Sequence, residues 1–218
     1  MTYLLGQPVD PYPAQAPEAA RGKVRRITEI GEPVLHTPAR HVEQFSTREL
    51  ARLVDDMFAT MEVAEGVGLA APQVGVDLRL FVYDLTDEHG DRHVGHVVNP
   101  ELEVDLDAEP ETEEEGCLSV PGAYAPLERP GGATVRGVDQ NGGPVQLTAT
   151  GYLARCFIHE VQHLDGILYW DHLSPELQAD ALRQRDEERE HILAGRHELA
   201  IELEKVPAQY PERPAGGR

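Results

Sequence analysis

Apolar residues recur at helical spacing between positions 50 and 61, and this pattern predicts an amphipathic helix. The residues concerned are Leu50, Leu53, Val54, Met57, Phe58 and Met61. Ser46 and Glu49 have the spacing of a capping box, so we expect the helix to begin there. It should end before the glycines at positions 66 and 68.

The middle of the chain has the alternating, β-branched pattern of strands. We expect strands over residues 78–83, 94–98, 102–106, 133–138 and 145–148. The last two flank the sequence Asp-Gln-Asn-Gly-Gly at 139–143, which is typical of a hairpin turn.

Two further helices are predicted in the C-terminal third. The first should begin near Thr150 and end before Gly166. The second is highly charged, with Ser174 and Pro175 at its N-cap and first position, and should run to about residue 205. Gly195 is a point at which this helix could break.

The two ends of the chain differ in composition from the part between them. Prolines at positions 8, 11, 13 and 17 predict a flexible extension without regular structure over residues 1–22. Residues 206–218 are rich in proline and glycine and are predicted to be a flexible tail. We therefore expect a single domain over 23–173, followed by a charged helical segment over 174–205. The mixture of strands and helices predicts an α+β fold.

The charge balance is strongly acidic, with 19 basic and 39 acidic side chains in 218 residues. This disfavours a surface for binding DNA, because phosphate affinity comes chiefly from Lys and Arg. Two cysteines are too few for a disulfide scaffold. The first residues lack the pattern of a signal peptide, and no apolar run has the length of a membrane span. We therefore expect a cytoplasmic protein that does not enter membranes.

The sequence His-Glu-Val-Gln-His at 159–163 predicts a metal site. On a helix, His159 and His163 lie on the same face and can bind one cation. Glu160 stands beside the first ligand, where its carboxylate can take a proton from a water that the metal activates. Because the chain has ten histidines, this pattern can also arise by chance, without a metal site.

The third ligand remains open from these residues alone. A metzincin would have histidine at the position of Tyr169, and His172 lies three residues too late. A thermolysin-like site would take a glutamate from the next helix, where Glu187, Glu188 and Glu190 stand in a run of charge.

Cysteine supplies the other possible third ligand. Cys117 follows Gly116 and has a thiolate suited to zinc or iron, although a lone cysteine is more often a small buried side chain. Cys156, three residues before His159, fits the wall of the adjacent pocket better than it fits a ligand.

A small-residue segment at 66–73, Gly-Val-Gly-Leu-Ala-Ala-Pro-Gln, allows a close approach by another chain segment or a ligand. Gln73 at its end brings an amide donor that could stabilise an oxyanion. A tight turn after the first helix would explain the glycines equally well.

Together, the segments 66–73, 115–119 (Glu-Gly-Cys-Leu-Ser) and 159–163 resemble the three motifs of the peptide deformylase family, in the family's order. The resemblance covers about residues 24–185. It implies antiparallel β-sheets packed around a central metal-binding helix, with one helix before and one after. It also implies that residues 23–173 form a catalytic domain.

The resemblance also assigns site residues. It implies metal ligands Cys117, His159 and His163, with Fe²⁺ as the usual ion and Zn²⁺, Ni²⁺ or Co²⁺ as substitutes. Glu160 matches the general base, and Gln73 and the backbone N–H of Leu118 match the groups that hold the formyl oxygen. Further matches are Gly68, which contacts substrate, and Arg129, which pairs with Glu115.

The implied activity is removal of the formyl group from the N-terminal methionine of new proteins, with release of formate. Tyr152 and Cys156 are then candidate walls of the methionine pocket. Nascent peptides would be the substrate, with transient ribosome contact through residues 21–26 or the C-terminal helix. The chain would be a monomer or homodimer. The alternatives are a zinc endopeptidase and a non-catalytic, peptide-binding relative.

Overall fold

The computed structural model describes residues 1–211 and has the predicted α+β class. The helices are α1 (Pro17–Arg21), α2 (Arg48–Val63), α3 (Gly151–Leu164) and α4 (Pro175–Glu202). The strands are β1 (Thr2–Leu4), β2 (Gln7–Val9), β3 (Gly68–Ala70), β4 (Leu80–Thr86), β5 (Arg92–Asp105), β6 (Glu111–Cys117), β7 (Val120–Arg129), β8 (Gly132–Val138) and β9 (Pro144–Thr150). Short 3-10 turns occupy Pro33–His36, Ala71–Val74 and Tyr169–His172.

Seven of the strands form one sheet, and β6 and β7 form a separate antiparallel hairpin. The order β2-β1-β5-β4-β3 runs across the first half of β5, and β8 and β9 continue the sheet from its second half. A bulge between Val98 and Glu101 separates these halves. The two strands predicted at 94–98 and 102–106 are therefore one bent strand, because a bulge turns a strand without ending it.

Helix α3 packs its apolar face on this sheet. Phe157 lies with its ring centre 5.2 Å from that of Tyr83 and 5.9 Å from that of Phe81, and all three rings are buried. Each buried aromatic ring of this kind contributes about 2–3 kcal/mol. The aromatic cluster thus fixes the helix that carries the 159–163 motif.

Helix α2 packs in a second apolar cluster with β3 and β4, through residues such as Met57, Leu69 and Val82. The predicted helix is confirmed, but its first residue is shifted. Thr47 rather than Ser46 is the N-cap, and its side-chain oxygen accepts from the Leu50 N–H at 3.1 Å. Ser46 has a φ of 56° and redirects the chain into the cap.

Residues 1–22 were predicted to lack regular structure, and this prediction is wrong. Strand β1 pairs in parallel with β5 and antiparallel with β2, so the extension gains backbone hydrogen bonds from the sheet edge. Helix α1 packs on α2, where Arg21 donates to both carboxylate oxygens of Asp55. Gly22 sits so close that a Cβ there would lie 1.9 Å from the Asp55 carbonyl oxygen.

The hairpin β6–β7 was not predicted. Its first strand contains Glu111, Glu113 and Glu114, all exposed, and therefore lacks the apolar alternation that marks strands. Pairing with β7 supplies the order that local propensity does not.

Helix α4 begins where predicted, with the Ser174 side chain accepting from the Leu177 N–H at 3.3 Å. It continues through Gly195, so the predicted break does not occur. Beyond it, the hydroxyl of Tyr210 accepts from the Ile27 N–H. Residues 212–218 of the predicted flexible tail lie outside the described residues. Within residues 1–211, no helix is long and apolar enough to cross a membrane.

Candidate functional site

Cys117, His159 and His163 bring their ligand atoms within 4.8 Å of one another, and all three residues are buried. His163 Nε2 lies 3.2 Å from the Cys117 sulfur and 3.2 Å from His159 Nε2. One sulfur and two ring nitrogens thus converge on one point. Cys117 is the third member, which the 159–163 motif by itself left open and the family resemblance implied.

Two structural elements set this convergence. His159 and His163 are one helical turn apart on α3, whose apolar face packs on the sheet. Cys117 ends β6, where the register with β7 shifts between Gly116 and Cys117. A Cβ on Gly116 would lie 2.5 Å from the Tyr124 ring, so any other residue here would displace that ring.

A buried ionic network orients the first histidine. Glu115 Oε1 lies 2.7 Å from His159 Nδ1, and Glu115 also accepts from Arg129 and Arg155. The 2.7 Å contact places the ring proton on Nδ1 and leaves the Nε2 lone pair free for a cation. Burial by itself would raise the pKa of Glu115. Hydrogen bonds from Arg129 and His159 outweigh burial and hold that pKa well below its usual range.

The pairing of Arg129 with Glu115, implied by the resemblance, is confirmed. Arg129 also donates to Gln162 Oε1 at 2.8 Å. Gln162 therefore takes part in the network around the ligands and not in the ligand set.

Glu160 lies against Gly68 in the segment 66–73. A Cβ on Gly68 would be 2.5 Å from Glu160 Oε1 and 2.9 Å from the Cys156 sulfur, so only glycine leaves room for the carboxylate. Glu160 is 3% exposed, and its Oε2 has no hydrogen-bond partner among the described residues. Burial raises the pKa of Glu160 to about 7. A carboxyl with this pKa can both accept and donate a proton near neutral pH.

Gln73 is held with its amide group turned toward the cysteine. Its Oε1 accepts from the Ala70 N–H at 2.8 Å, which leaves Nε2 to donate to Ser119 Oγ at 3.3 Å and toward the Cys117 sulfur at 3.6 Å. Leu118 packs over Gly66, where a Cβ would lie 2.6 Å from Leu118 Cδ1. The segments 66–73 and 115–119 are thus in direct contact.

A cavity of about 410 Å³ opens beside these groups. Its wall includes neither His163 nor Arg129. It includes the other eight site residues predicted from the sequence, which are Gly68, Gln73, Cys117, Leu118, Tyr152, Cys156, His159 and Glu160. Tyr152 is 48% exposed at the mouth, whereas Cys156 is buried. Burial, together with the charge of Glu160, raises the pKa of the Cys156 thiol, so it lines the cavity as a neutral group.

Neither the position of Tyr169 nor the glutamates of α4 supplies a third ligand. Tyr169 donates its hydroxyl to the Ala123 carbonyl and stacks its ring on His159 at 6.3 Å. The α4 glutamates Glu187, Glu188 and Glu190 are exposed, and none belongs to the ligand cluster found in residues 1–211.

Sequence reasoning missed two sets of residues. Arg155 stands one turn before His159 and donates to Glu115, so helical spacing from the motif could have identified it. The second set comes from α4, where His191, Ile192, Gly195 and Arg196 form part of the cavity wall. Nothing in the charged sequence of α4 distinguishes these four from their neighbours.

The donor set fits a divalent zinc or iron ion. A thiolate and two neutral imidazoles are the ligands that such ions prefer. His163 Nδ1 has no hydrogen-bond partner among residues 1–211, and Nε2 faces the Cys117 sulfur and His159 Nε2, so this buried ring can offer Nε2 to a shared cation. The three protein ligands leave a coordination position for water, as catalytic sites require.

Comparison with known proteins identifies a family for this arrangement. The family model described as polypeptide deformylase matches residues 24–179. Peptide deformylase 1 of Streptomyces avermitilis is 55% identical over 170 residues, which are 77% of this chain and 78% of that protein. The peptide deformylase of Acidothermus cellulolyticus is 49% identical over 160 residues, 73% of this chain and 84% of the relative.

Comparison with solved structures indicates the same family. The crystal structure of a peptide deformylase from Legionella pneumophila superposes with a TM-score of 0.70 at 40% identity, covering 77% of this chain and 96% of that one. The Synechococcus elongatus enzyme in complex with actinonin gives a TM-score of 0.67 at 37% identity, over 77% and 91% of the two chains. The predicted family and enzyme class are confirmed, and the chain belongs to the polypeptide deformylase family of metal-dependent hydrolases.

Proposed function

We propose that the 410 Å³ cavity is where this chain removes the formyl group from N-terminal formyl-methionine, and that residues 23–173 supply the catalytic domain. The observation that carries the proposal is the position of Glu160. It is a buried carboxylate with a free oxygen, one residue from a ligand, in the same cavity wall as the Gln73 amide. A site that only stored a metal would need neither group.

Cys117, His159 and His163 would hold the ion, for which Fe²⁺ is our first proposal and Zn²⁺, Ni²⁺ or Co²⁺ are possible substitutes. When bound, such an ion polarises the formyl oxygen and makes water acidic enough to react near neutral pH. The two imidazoles would serve as neutral ligands, with the contact to Glu115 holding His159 in the tautomer that this requires.

Glu160 would move the proton. As water adds to the formyl carbon, the Glu160 carboxylate takes one of its protons. It then gives this proton to the leaving amine nitrogen when the C–N bond breaks. One water and one formamide thus become formate and a free amino terminus. A pKa of about 7 suits both halves of this transfer.

Gln73 and the backbone N–H of Leu118 would stabilise the negative charge that develops on the formyl oxygen. The Gln73 amide is fixed before substrate arrives, because Ala70 holds its oxygen. A donor fixed in advance costs no reorganisation during the reaction, and one such donor is worth about 3 kcal/mol.

The methionine side chain would lie against Gly68, Tyr152 and Cys156. This part of the wall combines a glycine backbone, a neutral thiol and an aromatic ring, and a thioether packs well on an aromatic ring. A charged residue in place of Tyr152 should weaken the preference for methionine over alanine at the first position.

Three wider features are also proposals. Newly made chains are the substrate, so we propose a cytoplasmic enzyme with transient ribosome contact, working as a monomer or homodimer. The basic residues of segment 21–26 support such contact poorly. Arg21, Arg25 and Arg26 are ion-paired with Asp55, Asp56 and Glu32.

The test is formate release from formyl-Met-Ala-Ser by protein purified without oxygen and analysed for bound metal. We expect turnover of this peptide and no cleavage of acetyl-Met-Ala-Ser or of an unblocked internal peptide bond. Internal cleavage would favour the endopeptidase alternative. Metal-loaded protein that binds the peptide and releases no formate would favour the non-catalytic one.

A further inference from the structure

Helix α4 closes one side of the cavity with a buried arginine. Arg196 is 7% exposed, forms part of the cavity wall, and donates from Nη2 to the Leu118 carbonyl at 3.1 Å. Its charge therefore lies directly behind the loop that carries Cys117. Most of α4 lies beyond the residues that match the family model, 24–179.

Arg196 has no counter-ion among the described residues. Its Nε and Nη1 are buried there without hydrogen-bond partners. Arg189, two turns earlier on α4, shows the contrast, because it is also buried but donates to both oxygens of Glu29 at 2.7 Å. A buried guanidinium without an anion is costly and is rarely kept without a use.

A bound water could supply only part of what the buried Arg196 guanidinium lacks. A second cavity of about 10 Å³ touches Arg196, Thr60 and Tyr210, which is room for about one water molecule. That water could complete the hydrogen bonds of the guanidinium. It could not neutralise the charge, so an anion is still needed.

The other charged groups of the cavity wall are already balanced or face solvent. Arg155 is paired with Glu115, and Glu65, Glu114 and His191 are exposed. A charge acts most strongly where water is excluded. Arg196 should therefore be the strongest uncompensated charge on the cavity wall once the ligands hold a metal and Glu160 contacts the substrate.

We propose that Arg196 forms a subsite for a carboxylate of the substrate peptide beyond its methionine. The inference rests on the proposed function and adds a substrate preference to it. The carboxylate is either an acidic side chain at the second or third position of the peptide or the free terminus of a short peptide. Both present the planar oxygen pair that guanidinium binds.

The test compares four peptides: formyl-Met-Ala-Glu amide, formyl-Met-Ala-Gln amide, formyl-Met-Glu-Ala amide and formyl-Met-Ala-Gln with a free terminus. We expect wild type to prefer at least one carboxylate peptide over formyl-Met-Ala-Gln amide by roughly tenfold in kcat/KM, mostly through KM. The preferred peptide identifies the source and position of the carboxylate. Arg196→Met should abolish the ratio, because it retains the bulk of the stem and removes the charge.

Arg183→Met is the matched control, since Arg183 is exposed on the same helix and should leave the ratio unchanged. Titration of acetyl-Met-Ala-Glu amide against its Gln counterpart measures the same preference without turnover. Equal kcat/KM for all four peptides in wild type would overturn the inference, even if Arg196→Met failed to fold. So would an acid preference that survives Arg196→Met. Failure of all four peptides to release formate would count against the proposed function instead.

Discussion

Helices α3 and α4 both line the cavity, yet they are built in opposite ways. Helix α3 buries most of its 14 residues, including His159, Glu160 and His163. Helix α4 has 28 residues and buries only Ala181, Arg189, Arg196 and Ala200. The first is a core element whose chemistry lies on its packed face. The second is a solvated helix, and two of its four buried residues are arginines.

The difference shows two ways in which charged side chains are buried in a protein. On α3, charge is shared within a closed network, in which Glu115 serves His159, Arg129 and Arg155 together. On α4, Arg189 has a counter-ion in Glu29, while Arg196 has no counter-ion among the described residues. A complete network holds its buried side chains in place, whereas a charge without a counter-ion can bind a ligand.

Glu115→Gln should have the largest effect on stability. It leaves two buried guanidinium groups without a counter-ion and weakens the hold on His159, which should cost about 3–5 kcal/mol in unfolding free energy. Metal affinity should also fall by roughly 10–100-fold. Urea unfolding and metal titration measure these two quantities.

Glu114→Gln is the control for that change, because its side chain is the exposed neighbour on the same strand. It should alter the unfolding free energy by less than about 0.5 kcal/mol. Equal effects of the two substitutions would show that the buried network does not stabilise the α3 region.

Arg189→Met should have a smaller effect, confined to the attachment of α4. It removes two hydrogen bonds to Glu29, which retains some contact with water, so we expect a loss of about 1–3 kcal/mol. Hydrogen exchange should become faster in α4 and remain slow in α3. Faster exchange in both helices would mean that α4 does not open as a separate unit.

The α3 side of this comparison was predictable from the sequence. Spacing alone placed His159 and His163 on one face, whereas Cys117 was implied as the third ligand only by the resemblance of the three motifs to a known family; the structure brings all three together. Helical periodicity also located α2 and α3 to within a few residues. The helical signals are local, and local signals can be read in a single sequence.

The features that the sequence did not predict depend on contacts between distant parts of the chain. The order in residues 1–22 comes from a sheet edge formed by β5, and the β6–β7 hairpin forms despite an exposed acidic strand. Arg196 reaches Leu118 across 78 positions of sequence. In a helix with charged residues throughout, burial of one arginine is decided by docking and leaves no trace in the local pattern.

The central claim is that Cys117, His159 and His163 hold the metal while Glu160 moves the proton. Metal content and formate release, measured together on wild type, Glu160→Gln and Cys117→Ala, test it most directly. We expect Glu160→Gln to keep its metal and lose activity by roughly 10²–10⁴-fold, and Cys117→Ala to lose both. A metal-loaded Glu160→Gln protein with wild-type turnover, or a Cys117→Ala protein that keeps its metal, would contradict the account.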